Sequence, residues 1–111
     1  MTHLNLDIDA LWTALIGGES IKGPTFVVAD PASETRIARV TQCTTEHVDS
    51  AVESAHHAYA KWAVTSAGER ESILLRFADL IDQAHNQLTE ILVCESGSTI
   101  TKARFEVTKT A

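Results

Sequence analysis

Cysteine is scarce in this chain: Cys43 and Cys94 are the only two among 111 residues. They fit no metal-ligand spacing and need not pair, so a reducing cytoplasm is the expected compartment. Basic residues are also few, nine Lys and Arg against fifteen Asp and Glu, for a net charge of −6 with histidines neutral. The deficit is spread along the chain: residues 1–44 hold five acids and three bases, residues 45–111 ten and six. Such a surface argues against nucleic acid or an anionic membrane as a partner. Long apolar runs are missing too, and nothing approaches the roughly 20 uncharged residues that span a bilayer. Met1 to Ala10 contains no Lys or Arg and carries Asp7 and Asp9, unlike a secretory leader. Glycine-rich phosphate loops are absent as well. Gly17-Gly18 is followed by neither Gly-x-x-Gly nor Gly-Lys-Ser/Thr.

What remains is a chain that folds. Its 44% hydrophobic content argues against disorder, and its length allows one domain at most. The organising stretch runs from Ser66 to Ser98. Ser66 and Glu69 stand at capping-box spacing, where hydroxyl and carboxylate each bond the other residue's amide. Ile73, Leu74, Phe77, Ala78, Ile81, Ala84, Leu88, Ile91 and Leu92 then recur at steps of three and four, the period of one helix face. Gly97 supplies a left-handed stop. One long helix is therefore expected over 66–97.

Three short strands are expected within 13–43. Trp12 to Ile16 runs into Gly17-Gly18, Thr25 to Ala29 is β-branched and aromatic, and Arg36 to Val40 alternates. Asp30-Pro31-Ala32-Ser33 reads as a type I turn with Asp30 bonding its own backbone two residues on. These strands are expected to form a small antiparallel unit, preceded by a weak amphipathic turn around Ile8, Leu11 and Trp12. After Thr44 or Thr45 as cap, the period changes to 3.6. Val48, Ala51, Val52, Ala55, Tyr59 and Trp62 line one face of a helix over 44–64, with Glu46 and Asp49 in its first turn. The short break at Thr65–Ser66 predicts that this helix and the long one lie as an antiparallel pair. A third helix is expected over 98–111, with Ile100, Ala103 and Val107 on one face and no stop signal before Ala111, hence a truncated element. The whole reads as an α/β partial domain over 1–111, three strands followed by three helices. Its helix faces carry more apolar surface than these elements can cover on each other, so an exposed patch is expected.

Chemistry-bearing residues are sparse. Cys94 lies near a helix C-terminus beside Glu95, both of which raise a thiol pKa, so it reads as a packed thiol rather than a nucleophile. Cys43, in a connecting segment, fares no better. His56 and His57 diverge by about 100° on a helix and cannot share a metal from i, i+4 positions. Glu95 continues the apolar stripe and reads either as a snorkelled acid at the edge of the core or as an acid bonded to backbone, Arg104 or Lys102. No catalytic, cofactor-binding or metal-binding residue is assigned.

The order of these motifs carries a resemblance. Leu15-Ile16-Gly17-Gly18-Glu19, Thr25-Phe26-Val27-Val28, Asp30-Pro31-Ala32-Ser33 and Ile37-Ala38-Arg39-Val40 are similar to the opening strands of NAD(P)-dependent aldehyde dehydrogenases. Val48-Asp49, Ala51-Val52, Ala55 to Trp62, Glu69-Arg70, Leu74-Leu75-Arg76, Glu95-Ser96-Gly97 and Ala103 continue it through residues 13–107. Glu95-Ser96-Gly97-Ser98 with Lys102-Ala103 and Glu106 resembles the benzaldehyde and vanillin dehydrogenase branch. Glu34 departs from the family pattern, which has Gly in that turn, and puts a side chain where φ is positive.

The resemblance implies an enzyme of which this chain is the first fifth or so. In it a cysteine thiolate attacks an aldehyde, hydride passes to NAD or NADP, and water activated by a glutamate hydrolyses the thioester. The family's glycine-rich cofactor loop, glutamate base, nucleophilic cysteine and oxyanion asparagine all lie beyond the matched region. Two readings follow. One is an N-terminal fragment of an aldehyde dehydrogenase, inactive alone and binding no cofactor. The other is a non-catalytic helical module for binding or dimerisation. In either case the apolar helix faces are the expected contact with the rest of the enzyme or a second copy.

Overall fold

In the computed structural model, which describes residues 11–111, the strands sort into two sheets. Gly17 and Gly18 have φ of 60° and 87°, the pair of positive angles that a two-residue type I′ hairpin demands. They join β2 (Ala14–Ile16) to β3 (Glu19–Ile21), paired antiparallel with Ile16 opposite Glu19. A Cβ on Gly17 would stand 3.0 Å from Oγ of Ser54, so this turn also lets the first helix approach closely.

The second sheet has the order β1 (Leu11–Trp12), β5 (Arg36–Thr41), β4 (Thr25–Ala29). Asp30 closes the β4–β5 hairpin: its N–H donates to Thr35 O at 2.9 Å and its carbonyl accepts from Glu34 N–H at 2.8 Å. Its carboxylate accepts from the amides of Ala32 (2.7 Å) and Ser33 (3.3 Å), the expected local turn. Glu34 has φ of 59°, the positive value expected at this turn position. The register then slips: Val28 faces Ala38 but Ala29 faces Arg36, which leaves Ile37 as a bulge. Ile37, Ala38 and Val40 are consequently all half-buried, where strict alternation would expose one of them.

Two strand expectations need correction. Trp12–Ile16 is not one strand, because Trp12 pairs with Val40 and Ala14–Ile16 turns away to pair with β3. The unit is not wholly antiparallel either, since β1 runs parallel to β5. Parallel pairing depends on distant segments and leaves no local mark in the chain. The expected turn at Leu11 and Trp12 is strand, and Ile8 lies outside the described residues. The Thr41 hydroxyl, buried, donates to Ile21 O at 3.2 Å and ties the two sheets together.

Four helices follow. In α1 (Thr45–Val64) Thr44 is the cap, and its N–H donates to Nδ1 of His47 at 3.1 Å. The long helix is two pieces, α2 (Ala67–Gln83) and α3 (His85–Ser96), divided at Ala84 with φ −89° and ψ 5°. Ala84 N–H still reaches Leu80 O (3.1 Å) and Leu88 N–H reaches Ala84 O (2.9 Å), so the break is a bend rather than a loop. Asp82, His85 and Asn86 are weak helix formers around it. The bend lets α3 lie along α4 (Ile100–Thr110), which Thr99 caps through Lys102 N–H at 3.3 Å. Gly97, with φ 65°, ends α3 as expected.

Among the described residues the buried side chains are few: Ile81, Thr89, Ala103 and Val107, where α2, α3 and α4 meet, together with Thr41. The α1–α2 expectation also fails. Thr65 (ψ 136°) and Ser66 (ψ 154°) are both extended, so α2 leaves α1 at an open angle and α1 packs on β2 instead. The Cα radius of gyration is 16.9 Å, against about 13 Å for a compact chain of this length.

Candidate functional site

The residues singled out for chemistry do not converge. Cys94 is half-buried on α3; burial pushes its thiol up, and the Asp30 and Glu90 carboxylates push the same way. The expected influence of Glu95 is replaced by these two acids, one from the β4–β5 turn and one a helical turn back. A thiol so held is protonated and a poor nucleophile. Cys43 is exposed beyond the end of β5. His56 and His57 are both exposed on α1, and Nδ1 of His57 lies 2.9 Å from Glu53 O. Among the described residues, no three His, Cys, Asp or Glu side chains are grouped as metal ligands.

Glu95 is exposed, and the bond to Arg104 or Lys102 is not formed. Lys102 Nζ goes instead to Glu106 (3.0 Å) and Ser98 Oγ (3.4 Å). Glu95 borders a hollow of about 200 Å³ between the β1–β5–β4 sheet and α3, with Trp12, Val28, Ile37, Val40 and Ile91.

A dinucleotide would need glycine-rich backbone opening into a helix N-terminus. Gly17-Gly18 opens into a strand. The α2 N-terminus is already served by its own acid. Glu69 accepts from the Ser66 amide (3.1 Å) and hydroxyl (2.7 Å), and Glu69 N–H returns a bond to Ser66 Oγ at 3.3 Å. At α1, Glu46 puts a carboxylate in the first turn. The described residues therefore do not fit a pyrophosphate.

Two pairings were not anticipated. His85 Nε2 stands 3.2 Å from Thr108 Oγ1, clasping α3 to α4, and Arg70 donates to Thr65 O at 2.8 Å, satisfying a carbonyl at the end of α1. Both depend on the bend at Ala84 or the open angle at Thr65, which the helical period does not encode. The hairpin strand β3 was also missed, although Gly-Gly between Ala-Leu-Ile and Glu-Ser-Ile is a hairpin signal.

The structure does offer open apolar clefts. One of about 890 Å³ lies between α1 and α2, lined by Tyr59, Trp62, Gly68, Ser72 and Ile73. Another of about 790 Å³ lies among α2, α3 and α4, lined by Phe77, Leu88, Ile91, Leu92 and Phe105. Their walls are mainly apolar, with Lys61, Glu69, Glu106 and Lys109 at the linings, as suits faces for packing.

Residues 19–111 match the model of the aldehyde dehydrogenase family. The chain belongs to the aldehyde dehydrogenase family. It is 38% identical over 111 residues to a vanillin dehydrogenase of Corynebacterium glutamicum, covering 97% of this chain and 23% of that one. It is 34% identical over 95 residues to the mitochondrial succinate-semialdehyde dehydrogenase of Rattus norvegicus, covering 85% and 18%. Among solved aldehyde dehydrogenase structures, the NAD-dependent benzaldehyde dehydrogenase of Corynebacterium glutamicum superposes with a TM-score of 0.82 at 35% identity, over 95% of this chain and 23% of that one. A 3,6-anhydro-L-galactose dehydrogenase in complex with NAP gives 0.85 at 30% identity, over 91% and 22%. The chain thus spans under a quarter of the length of the aldehyde dehydrogenases it matches. Among the described residues no helix is long and apolar enough to cross a membrane.

Proposed function

We propose that these residues are the opening scaffold of an NAD(P)-dependent aldehyde dehydrogenase that oxidises an aromatic aldehyde to the carboxylic acid. The nucleophile, base and cofactor site belong to parts of the fold outside them. One observation carries this reading: α1 and α2 leave their apolar faces open in a chain that aligns with under a quarter of its relatives. Similarity to a vanillin and a benzaldehyde dehydrogenase supports an aromatic substrate. The protonated Cys94 and the absence of a phosphate cradle among the described residues support chemistry carried elsewhere.

The test is a chimera in which these residues replace the matching segment of the Corynebacterium glutamicum vanillin dehydrogenase. With benzaldehyde and NAD the chimera forms NADH and the isolated 111 residues form none. A chimera without turnover, or an isolated chain with it, overturns the reading.

A further inference from the structure

His47, His57 and His85 each bond through the ring, and the bonds differ in what they ask of it. Nδ1 of His57 lies 2.9 Å from Glu53 O, a carbonyl that can only accept, so this nitrogen carries a hydrogen. The Thr108 hydroxyl gives its one proton to Arg104 O (2.9 Å), so His85 Nε2, 3.2 Å away, donates to it. Both rings keep these bonds when they gain a second proton. His47 is the opposite case. Its Nδ1 accepts the Thr44 N–H at 3.1 Å, which a protonated Nδ1 cannot do.

His47 is the third residue of α1, the place where a capping box ordinarily has Glu or Gln. Its ring is half-buried. Charging it brings two penalties together: the acceptor is lost, and a cation stands at the positive end of the helix dipole. The surrounding charges do not titrate with it. Glu46 attracts an imidazolium, but the Thr44 hydroxyl and then its own amide hold its carboxyl below the ordinary 4.5, so its charge is constant near neutrality. Asp49 is the next acid along α1. The strand packed on α1, β2, contributes only Ala14, Leu15 and Ile16. The β3–β4 connection, whose Pro24 O accepts from Gln42 N–H at 2.8 Å, adds one cation, Lys22.

We propose that His47 is a proton-sensitive catch on the entrance to α1, closed by the neutral ring with its hydrogen on Nε2 and released when Nδ1 is protonated. Release falls in the interval from about pH 8 to 5, where an imidazole ordinarily changes charge. The stabilisation is present at the alkaline end and is lost as pH falls. The α2 box of Ser66 and Glu69 holds further, to below 4.5, so the two helix entrances open in succession. This stands apart from the scaffold reading.

Heteronuclear NMR of the 111-residue chain tests it. At about pH 8 the His47 ring shows a bare Nδ1 and a hydrogen on Nε2. Exchange of the Thr44 amide with water, measured by magnetisation transfer, is then compared with that in His47→Gln, whose side chain keeps an acceptor at every pH. Position 47 is not adjacent to Thr44, so the substitution leaves the intrinsic exchange rate alone and the ratio of rates reports the bond. That ratio is close to unity at about pH 8 and rises about fivefold by about pH 5, as loss of a cap of about 1 kcal/mol gives. His57→Gln follows the unsubstituted chain throughout. A flat ratio, a hydrogen on Nδ1 at the alkaline end, or the same loss of pH dependence in His57→Gln overturns the inference.

Discussion

Gly97 and Pro31 are in contact across the fold: a Cβ on Gly97 would lie 3.0 Å from Cγ of Pro31. The left-handed residue that ends α3 is thereby seated on the turn that joins β4 to β5. Gly97→Ala meets two costs, a positive φ of 65° and the ring of Pro31. The backbone part alone is about 1–2 kcal/mol, and the steric part adds to it. A urea melt followed by circular dichroism should register a loss of at least that size; an unchanged midpoint would mean the α3 end does not bear on the turn.

The Ser66–Glu69 box makes stability depend on pH. Bonds from the Ser66 hydroxyl and then the Ser66 amide lower the Glu69 pKa below its ordinary 4.5. A folded pKa below the unfolded one means the contribution is complete above 4.5 and is lost as pH falls through the folded value. Acid titration of helicity should therefore show a component below 4.5 that Glu69→Gln removes. Ser66→Ala, which deletes the cap itself, should cost about 1 kcal/mol at neutral pH.

Thr89 is 2% exposed, and among the described residues its hydroxyl has no hydrogen-bond partner. An unpaired buried hydroxyl costs about 1–3 kcal/mol, and valine keeps its shape without it. Thr89→Val should raise the midpoint of a thermal melt. A lower midpoint would show that the oxygen is bonded after all.

The two thiols should differ in reactivity. Cys94 is half-buried and its ionisation is opposed by Asp30 and Glu90, whereas Cys43 is exposed. Iodoacetamide at neutral pH should label Cys43 first, read by peptide mass spectrometry, and Asp30→Asn should speed labelling of Cys94.

What the sequence made legible is what acts over three or four residues. The Ser66–Glu69 box, the Asp30 turn, the strained Glu34 and the Gly97 stop each follow from a side chain and its own neighbourhood. The bend at Ala84 does not, because the apolar period runs through it and only the packing of α3 on α4 reveals it. The divergence of α1 from α2 hides in the extended backbone of Thr65 and Ser66, where a short connection suggested antiparallel packing. Parallel pairing of Trp12 with Val40 joins segments far apart in the chain. At the candidate site, the half-buried Cys94 and the exposed His56 and His57 have the burial that their helix positions predict. Of the two readings of Glu95, the acid at the rim of the core is the one the structure shows, and Lys102 is held instead by Glu106 and Ser98.

Among the described residues the strand from Thr25 to Ala29 has a partner on one side only, β5, and it carries Phe26 and Val27 half out in water. Its other rim is a row of backbone donors and acceptors ready for any extended peptide of matching length. Purified stocks of the isolated chain would thus tend to grow fibrous precipitate from that rim on concentration, and a lysine at Val27 would delay it.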